Sequence, residues 1–600
     1  MQRLALFLAL LLTTPALHAQ TDKQEFRGAW IASVINLDWP SCRTCSPAQQ
    51  QSNLIRMLDG LQDSGINAVL FQVRSEGDAL YPSEIEPWSY WLTGEQGTAP
   101  SPVWDPLAFA VEESHKRGME LHAWLNPYRA DRGSNYPKAA THVTNENPEW
   151  LLSIGTLKIF DPGLQVSRDR VAAVVADITR RYDVDGIHFD DYFYPYPPNQ
   201  IGSEDAASFA ADPRGFTDIG DWRRDNINRM VAQVQDSILA VDPEVVFGIS
   251  PFGIWKNGTP SGITGLDAYG TIYADAVHWL TNETIDYVTP QTYWAFGGGQ
   301  DYGKLVPWWE SVRNDRHLYP GLGLYRAERN TFSGALFKPT EIPNQIRFAR
   351  ATEGVQGTVL FRAKNVTQFQ TQGFRDTLQV DLYRQPALPP TMTWKSQEAP
   401  GMPTALTAAH TSGEGAVTLD WTAPADGDAE ARFYAVYRIP TSEAGDLAAA
   451  TADGRYLARV TGETTVVDYP TLSGDFVYAV TAVSANSIES GTPTETASVQ
   501  NVVSSDGPAV GLALGLEPAR PNPFRDRTDV VFTLRASDQV TLRVVDVLGR
   551  EVARLLDRSA RPAGRQLVEW APGADLPAGT YLLVLETSTA RATRSVVHVR

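Results

Sequence analysis

The sequence has little cysteine and a deficit of positive charge. Two cysteines occur among 600 residues, and the formal net charge is −19 at pH 7. A chain this acidic would be repelled by nucleic acid and by an anionic membrane surface, so we expect neither as a partner. The apolar run at residues 4–12 is too short to span a bilayer, and no later stretch suffices. We therefore expect no transmembrane span, and a length of 600 residues predicts more than one domain.

The two cysteines, Cys42 and Cys45, lie in one short segment. A zinc site would need further ligands at suitable spacing, and none are near them. The N-terminus has the features of a secretory signal peptide, namely Arg3, the apolar run and the small residue Ala19 at the expected cleavage point. We predict that residues 1–19 are removed on export. In an oxidising compartment the two cysteines either form a local disulfide or remain idle thiols.

Several catalytic signatures are missing. No glycine-rich phosphate loop follows the first predicted strand, which argues against a doubly wound nucleotide-binding sheet. Ser250 is followed by Pro251, so this serine does not sit in a glycine-framed nucleophile turn. Histidines and carboxylates do not cluster at metal-ligand spacing. We therefore expect neither a metal nor a cofactor.

From about residue 26 to residue 382, short apolar strands alternate with longer amphipathic helical patterns. This alternation is typical of an α/β fold with a parallel sheet, and eight such units favour a TIM (β/α)8 barrel at residues 25–383. The strand-to-helix loops are long, so we expect them to form the catalytic face. The predicted strands are residues 27–33, 67–74, 119–126, 186–190, 245–250, 287–293, 319–325 and 357–362.

The most informative stretch is residues 185–195, where a strand-like run ends in Asp190 and Asp191, three aromatics and a proline. Side chains alternate along a strand, so its apolar residues face the helices while His188 and Asp190 face the barrel interior. Asp191 lies just past the strand end. The stretch therefore predicts an active centre at the barrel mouth.

Polar side chains recur on the same predicted face of other strands. Any one of them could be a satisfied polar group of the core. Their convergence at the strand ends, where barrels carry out chemistry, indicates a site instead. They are Gln72 and Arg74 of the second strand, His122, Trp124 and Asn126 of the third, and Gln291 and Tyr293 of the sixth.

Carboxylates beside aromatic and amide side chains are the groups that glycoside hydrolysis needs. Asp190 is the candidate nucleophile or base. Asp191 supports it or exchanges roles with it, because adjacent carboxylates seldom titrate independently. We expect the general acid to come from another loop, with Asp78 ranked first and Glu76 and Asp38 as alternatives. Asp78 could equally cap a backbone turn or form an ion pair.

A set of motifs follows in order along residues 25–364. They are Phe26-Arg27-Gly28-Ala29-Trp30, Asn36-Leu37-Asp38-Trp39-Pro40, Gly77-Asp78-Ala79-Leu80-Tyr81, His122-Ala123-Trp124-Leu125-Asn126-Pro127-Tyr128-Arg129, the 185–195 stretch, Ser250-Pro251-Phe252-Gly253 and Pro290-Gln291-Thr292-Tyr293-Trp294. Together they resemble the glycosyl-hydrolase-like family 10. The resemblance implies a TIM barrel that hydrolyses a glycosidic bond in a polysaccharide substrate, with bacterial cell-wall glycan as one candidate.

Within these motifs we expect the catalytic groups to be Asp190, Asp191 and Asp78. The 185–190 segment is similar to fourth-strand motifs of barrel glycosidases that end in a catalytic aspartate. In the chitinase-like version of that motif, Tyr192 occupies the place of the acid glutamate. The expected substrate-binding residues are Arg74, His122, Trp124, Asn126, Arg129, His188, Tyr192, Gln291, Tyr293 and Trp294.

Composition changes after the barrel. Residues 384–403 are proline-rich and linker-like, and short alternating runs with turn signals at residues 404–502 predict a β-sandwich. Trp421 on an early strand, and Leu472 six residues before Tyr478, resemble a fibronectin type III domain. In that resemblance these residues belong to the core rather than to a site.

A second linker at residues 503–514 precedes the last unit, residues 515–600, which we also expect to be a β-sandwich. Its motifs are Pro518-Ala519-Arg520-Pro521-Asn522-Pro523-Phe524, Val544-Val545-Asp546-Val547-Leu548-Gly549-Arg550 and Leu576-Pro577-Ala578-Gly579-Thr580-Tyr581. They resemble the sorting domain of the type IX secretion system. The resemblance implies that this secretion machinery is a partner and that the chain is secreted or reaches the outer-membrane surface.

Two other functions stay open at this point. A degenerate barrel could bind carbohydrate at the cell surface without turning it over. A metal-dependent polysaccharide deacetylase would require a ligand cluster that the sequence lacks. The favoured interpretation is a secreted glycoside hydrolase.

Overall fold

The computed structural model of the protein describes most of the chain from residue 23 onward. The described residues are 23–328, 336–367, 371–410, 416–425, 429–470, 473–502, 515–516, 519, 522, 524–534, 538–546, 550–561, 564–573, 576–587 and 591–599. The expected signal peptide, the second linker, Leu472 and parts of the sorting-domain motifs lie outside them.

The N-terminal part of the described chain is built on a parallel sheet. Its strands, with three that form a small separate sheet, are β1 (Phe26–Ile31), β2 (Ala68–Arg74), β3 (Glu120–Leu125), β4 (Arg129–Asp131), β5 (Leu151–Ile154), β6 (Leu157–Phe160), β7 (Gly186–Phe189), β8 (Val246–Ile249), β9 (Tyr287–Val288), β10 (His317–Leu318), β11 (Gly321–Leu322) and β12 (Gly357–Leu360). The large sheet has the order β10-β9-β8-β7-β3-β2-β1-β12-β11. Its neighbouring strands are parallel throughout, which confirms the predicted parallel α/β architecture.

The two ends of this sheet are consecutive in the chain. Tyr319 and Pro320 alone separate β10, which pairs with β9, from β11, which pairs with β12. The sheet therefore returns on itself as a barrel. The sixth and seventh strands are shorter than predicted because Pro290 and Pro320 have no N–H to donate to the ladder.

Helices follow the strands along the chain, and the longer ones cover the outer face of the large sheet. They are α1 (Pro47–Gln62), α2 (Tyr90–Thr93), α3 (Pro106–Lys116), α4 (Val143–Glu146), α5 (Gln165–Arg181), α6 (Ala206–Ala211), α7 (Ile219–Leu239), α8 (Ala268–Thr271), α9 (Ala276–Thr281), α10 (Tyr302–Val312), α11 (Glu341–Ala351), α12 (Ala363–Thr367) and α13 (Phe374–Thr377). Their first turns carry the expected signals. Ser46 and Gln49 form a capping box on α1, and the Asp105 carboxylate accepts from backbone N–H groups that begin α3.

The strands divide their side chains between two faces, as the alternation predicts. Ile187 and Phe189 of β7 are fully buried in the layer between sheet and helices, whereas His188 points into the barrel. Two glycines make room inside. A Cβ on Gly186 would lie 2.6 Å from the His122 ring, and one on Gly248 would lie 2.0 Å from the Tyr287 ring. The interior is therefore a packed core of large rings up to the level of the mouth.

Residues 384–403, predicted as a linker, connect the barrel to the next domain but pack tightly. The backbone of Leu388 exchanges hydrogen bonds with Lys23 and Glu25, and Leu388 is fully buried. Trp394 donates from its indole N–H to Asp286 at 2.7 Å. Met392 joins the core inside the barrel. This segment therefore covers the N-terminal end of the barrel because its apolar side chains are buried there.

Two further domains of the described chain consist mainly of antiparallel strands, consistent with β-sandwiches. The first has sheets β13-β14-β17 and β16-β15-β18-β19, and the second has β20-β21-β24 and β23-β22-β25-β26. These strands are β13 (Thr404–His410), β14 (Val417–Thr422), β15 (Phe433–Pro440), β16 (Leu457–Thr461), β17 (Thr465–Asp468), β18 (Gly474–Val483), β19 (Ala497–Val502), β20 (Gly515–Leu516), β21 (Thr528–Leu534), β22 (Asp538–Asp546), β23 (Glu551–Arg561), β24 (Gly564–Trp570), β25 (Gly579–Glu586) and β26 (Arg591–His598), and one helix, α14 (Leu447–Ala452), lies between β15 and β16.

The first sandwich is fixed to the barrel. Trp421 and Tyr478 lie in its core, as the resemblance implies, and the Tyr478 hydroxyl donates to Asp468 at 2.6 Å. Arg432 forms ion pairs with Asp183 and Asp185 at the start of β7. The accessory domain is thereby anchored at the end of the barrel opposite to the mouth.

Two smaller expectations are also answered. Cys42 and Cys45 form a disulfide with their Cα atoms 5.5 Å apart. Across the described ranges, every helix is too short or too polar to cross a bilayer.

Candidate active site

A cavity of about 300 Å³ opens where the strands of the barrel end. Its walls combine polar groups with aromatic rings, a combination suited to a polar ligand that has apolar faces. The lining residues are Trp30, Ala32, Val34, Leu37, Gln72, Trp124, Arg129, Asp190, Asp191, Tyr192, Tyr196, Ser250, Phe252, Gln291, Tyr293 and Phe361. Of the predicted site residues, the structure brings together Asp190, Asp191, Trp124, Arg129, Tyr192, Gln291 and Tyr293.

Asp190 follows strand β7, and its backbone N–H still donates to the Leu125 carbonyl at 3.1 Å. One oxygen of its carboxylate accepts from the backbone N–H of Asp191 at 2.9 Å and from the Gln291 amide at 3.4 Å. The same amide is held at 2.9 Å by the backbone carbonyl of Ser250. The carboxylate is therefore fixed by groups from three strand ends.

Asp191 forms a hydrogen-bonded pair with Asp190. Its carboxyl group also accepts from the Tyr196 hydroxyl. Burial, followed by the charge of Asp190, raises the pKa of Asp191 well above its ordinary value, and burial raises the pKa of Asp190 less. Two like charges in contact cannot both ionise easily, so the pair holds one proton, and that proton belongs mainly to Asp191.

Among the described residues, Arg129 is the one cation that lines the cavity. It begins β4, a strand of the small sheet inserted after β3, and its guanidinium carbon lies 3.5 Å from the centre of the Tyr192 ring. Its positive charge lowers the pKa of Asp190, although burial has the larger, opposite effect. Arg129 therefore favours the ionised form of Asp190.

Beneath the cavity, a chain of buried polar groups crosses the barrel. The indole N–H of Trp30 can only donate, so Nε2 of His188 must accept at 3.2 Å. The Nδ1–H of His188 then donates to the Tyr287 hydroxyl at 3.0 Å, and that hydroxyl donates to Nδ1 of His122 at 2.7 Å. The chain ends where Nε2–H of His122 donates to Glu120 at 3.1 Å.

This chain fixes the tautomer of His188 and leaves that ring neutral. Burial, then the neighbouring His122, lowers the pKa of His188 well below its ordinary value, which agrees with that assignment. The chain also holds the plane of Trp30, a wall of the cavity. His122 and His188 thus lie below the cavity and support it through other residues.

The remaining predicted residues do not reach the cavity. Arg74 binds Glu86 through two 2.7 Å contacts and is buried, and Asn126 is fully buried beside it. Asp78 is also fully buried, and its carboxylate accepts from Ser75 at 3.3 Å and from a backbone N–H at 3.1 Å. Burial raises the pKa of Asp78, but the side chain acts within the loop. Trp294 lies just outside the cavity, with its ring 5.4 Å from that of Phe252.

The alternative acids are likewise enclosed. Glu76 accepts from the indole of Trp91 at 3.2 Å and from the backbone of Arg132 at 2.9 Å. Asp38 is paired with Arg362 at 3.0 Å and also accepts from the backbone N–H of Ala32. The cavity therefore contains one carboxyl pair and, among the described lining residues, no third carboxylate.

Sequence reasoning missed several lining residues. Trp30 is the last residue but one of β1, Phe361 directly follows β12, and Phe252 lies three residues after β8, so a position near a strand end is a usable signal for all three. Tyr196 had none, because it follows a proline in an irregular loop. In the described part of the chain, no group of three His, Cys, Asp or Glu side chains is arranged to hold a metal ion.

Comparisons with known proteins cover the part of the chain that forms the barrel. A family model described as "Glycosyl hydrolase-like 10" matches residues 25–333. The chain is 38% identical over 432 residues to "Glycosyl hydrolase YngK" of Bacillus subtilis, covering 70% of this chain and 84% of the relative. It is 35% identical over 389 residues to "Glycosyl hydrolase DigH" of Escherichia coli K12, covering 60% of this chain and 87% of the relative.

A solved structure is also similar, though distantly. The PgaB (BpsB) glycoside hydrolase domain from Bordetella bronchiseptica aligns at 14% identity with a TM-score of 0.40, covering 60% of this chain and 99% of that domain.

Proposed function

The chain belongs to the glycosyl hydrolase-like 10 family, and from this premise we propose that it hydrolyses O-glycosidic bonds in a polysaccharide at the Asp190–Asp191 cavity. One observation carries the proposal. Two hydrogen-bonded carboxyl groups with raised pKa values lie in an aromatic-walled cavity at the ends of parallel strands. Paired carboxyl groups of unequal acidity are the usual acid and base of glycoside hydrolysis.

The two groups take different roles in this proposal. Asp191, whose pKa is raised by burial and then by the charge of Asp190, holds the proton of the pair and acts as the general acid that protonates the leaving oxygen. Asp190 is the ionised member of the pair in this proposal: burial raises its pKa less than that of Asp191, and hydrogen bonds from Asp191, the charge of Arg129 and the Gln291 amide favour its negative charge. It therefore stabilises positive charge that develops on the substrate.

The spacing of the pair bears on the nucleophile. Catalytic carboxyl groups are about 5 Å apart in retaining glycosidases and about 6.5 to 9.5 Å apart in inverting ones, on opposite faces of the sugar. Asp190 and Asp191 are consecutive residues that are hydrogen-bonded to each other, so they do not lie on opposite faces of one sugar ring. A nucleophile carried by the substrate itself satisfies this geometry, as in substrate-assisted glycosidases.

A 2-acetamido sugar supplies such a nucleophile. Its carbonyl oxygen attacks the anomeric carbon while the glycosidic C–O bond breaks and the leaving oxygen takes the Asp191 proton. The Asp190 carboxylate accepts a hydrogen bond from the acetamido N–H and stabilises the positively charged oxazolinium ring that forms. Water then attacks the anomeric carbon, and ionised Asp191 accepts its proton. Bacterial cell-wall glycan carries this substituent and is our proposed polysaccharide.

The absence of a third carboxylate among the described lining residues also favours a second candidate, a surface protein that binds carbohydrate without hydrolysis. Release of reducing ends separates the two. The substrates are peptidoglycan glycan strands, chitin oligosaccharides and a plant polysaccharide without acetamido groups. We expect release from the first two alone, and saturable binding without release would support the second candidate.

Variants test the assignment of the residues. Asp190→Asn and Asp191→Asn each remove a carboxyl group with little change in size, and we expect at least about a hundredfold loss of kcat from either. The matched control is Asp315→Asn, at a side chain that is fully exposed on a loop. Circular dichroism verifies folding. Activity that is unchanged in either cavity variant contradicts the assignment.

Location is a separate part of the proposal. The motifs at the two ends of the sequence support export through a signal peptide and then through the type IX secretion machinery, with the 404–502 domain as a fibronectin type III-like spacer. Deletion of residues 515–600 should retain the protein in the periplasm. Cell fractionation measures this, and unchanged release to the surface or medium contradicts it.

A further inference from the structure

A second cavity, of about 800 Å³, lies between the barrel and the first sandwich. Its barrel wall includes Asn67 and Arg117, which precede β2 and β3, whereas Asp190 follows the end of β7. Because the strands are parallel, the two cavities open at opposite ends of the barrel. The sandwich supplies residues 458–460 and 467–469 to the other wall. We call this cavity the interdomain cleft.

Four arginines line the cleft, in a chain whose net charge is −19. Two of them have fixed partners. Arg117 forms an ion pair with Asp59 at 2.7 Å, and Arg438 binds both oxygens of Asp468 at 2.8 Å. These two guanidinium groups are therefore already neutralised.

The other two, Arg384 and Arg459, have no carboxylate oxygen within 4.0 Å in the part of the chain that the structure describes. Arg459 is the more enclosed, and its Nε is buried without a hydrogen-bond acceptor among those residues. Burial lowers the pKa of Arg459, and the charges of Asp468 and Asp63 oppose this effect from beyond ion-pair distance. The guanidinium stays protonated at neutral pH. Arg384 is exposed and comes from the barrel side.

The carboxylates that line the cleft form no ion pair with Arg384 or Arg459. Asp468 is bound by Arg438, and Asp63 lies 3.6 Å from Arg375 outside the cleft. A partly buried cation without a partner is unfavourable, so an anion that enters the cleft gains both Coulomb attraction and charge-assisted hydrogen bonds.

We propose that Arg459 and Arg384 bind an oxyanion in the interdomain cleft, in the form of a sulfate, phosphate or carboxylate group. The ligand is either a free inorganic anion or an anionic group carried on a sugar. A volume of about 800 Å³ exceeds that of one small ion and accommodates a sugar as well. The half-buried Tyr469 in the wall offers a ring surface against which a sugar can pack.

Isothermal titration calorimetry of the full chain tests the site, with inorganic sulfate and a sulfated disaccharide as probes in separate titrations. We expect saturable binding of at least one probe. Arg459→Gln should weaken it by about tenfold to a hundredfold, because one charge-assisted interaction is lost. Arg384→Gln, at an exposed position, gives a second test if the first variant folds poorly. The matched control is Arg550→Gln, at a side chain that is 76% exposed in the last domain.

The outcomes are distinct. Disaccharide binding at least about tenfold tighter than sulfate binding identifies a glycan-borne anion, and equal affinities identify a free anion. Both support the site if the Arg459 or Arg384 variant binds more weakly and the Arg550 variant does not. No saturable binding of either probe, or equal binding by all variants, overturns it. Bound sulfate should also raise the Tm of the wild type, since it binds the folded chain.

Discussion

Replacing Tyr287 by Phe should destabilise the barrel strongly for a reason that the structure makes quantitative. The Tyr287 hydroxyl is fully buried and satisfies two imidazole nitrogens, one each from His188 and His122, at 3.0 and 2.7 Å. A buried polar group left without a partner costs about 1–3 kcal/mol. Two such groups therefore predict a loss of roughly 2–6 kcal/mol from the free energy of unfolding.

The same interior offers a matched control. The Tyr319 hydroxyl contacts one histidine nitrogen, Nδ1 of His317, at 2.7 Å and is equally buried. Tyr319→Phe should therefore lose about half as much as Tyr287→Phe. Urea unfolding followed by tryptophan fluorescence measures both. A Tyr287 variant within about 0.5 kcal/mol of the wild type, or no less stable than the Tyr319 variant, would refute the hydrogen-bond chain.

Three further perturbations follow from the same geometry. Asp63→Asn should raise the free energy of unfolding at pH 7.5 by up to about 3 kcal/mol and have no effect below pH 4. Burial raises the pKa of Asp63 in the folded chain to about 6, so the wild type loses stability as pH rises from about 4 through 6. Equal effects of the substitution at both pH values contradict this. Arg432→Ala should destabilise the joint between barrel and sandwich by about 1–3 kcal/mol, because buried Asp185 loses this partner and keeps only His115 and the Leu121 N–H. Urea unfolding should then separate the two domains, and one unchanged transition contradicts this. The pH profile of kcat/KM should be bell-shaped, with Asp190 ionised and Asp191 protonated in the active form. Arg129→Met should move the acidic limb of this profile to higher pH, because a charge that lowers the pKa of Asp190 is lost. An acidic limb that does not move contradicts the assignment of Asp190 as the ionised group.

The parts of this fold that follow a local period could be predicted from the sequence. Alternation in the 185–190 segment directs Ile187 and Phe189 to the helices and His188 inward, as observed. The same reasoning places Trp124 and Gln291 at the mouth. Successive side chains of a strand point to opposite faces of the sheet, so the direction of one residue determines the direction of the next.

Depth within the barrel could not be predicted in that way. His122 shares its face with Trp124, yet lies below the cavity because the register between strands sets its height. Arg74 turns away toward Glu86, a partner in the loop that follows its own strand. The motif that contains Asp78 predicts the general acid there, and no local pattern shows that its loop folds inward. Contacts across the barrel decide all three positions.

Composition also has limits as a guide to domain boundaries. Prolines in residues 384–403 indicate a linker, and the chain does pass from one domain to the next there. Leu388 and Met392 are nonetheless buried against the barrel, because its N-terminal end would otherwise expose apolar surface. This apolar surface exists only once the barrel has assembled, so no local sequence pattern indicates that residues 384–403 bury it.

Hydrolysis at the Asp190–Asp191 cavity is tested most directly by digesting peptidoglycan glycan strands and following the anomeric protons of the released products by NMR. We expect the wild type to release new reducing ends with the anomeric configuration of the substrate, because two displacements occur at the same carbon. Asp191→Asn should release none at a comparable rate. Products of inverted configuration would contradict the substrate-assisted mechanism, and an absence of new reducing ends from the wild type would contradict hydrolysis of this glycan.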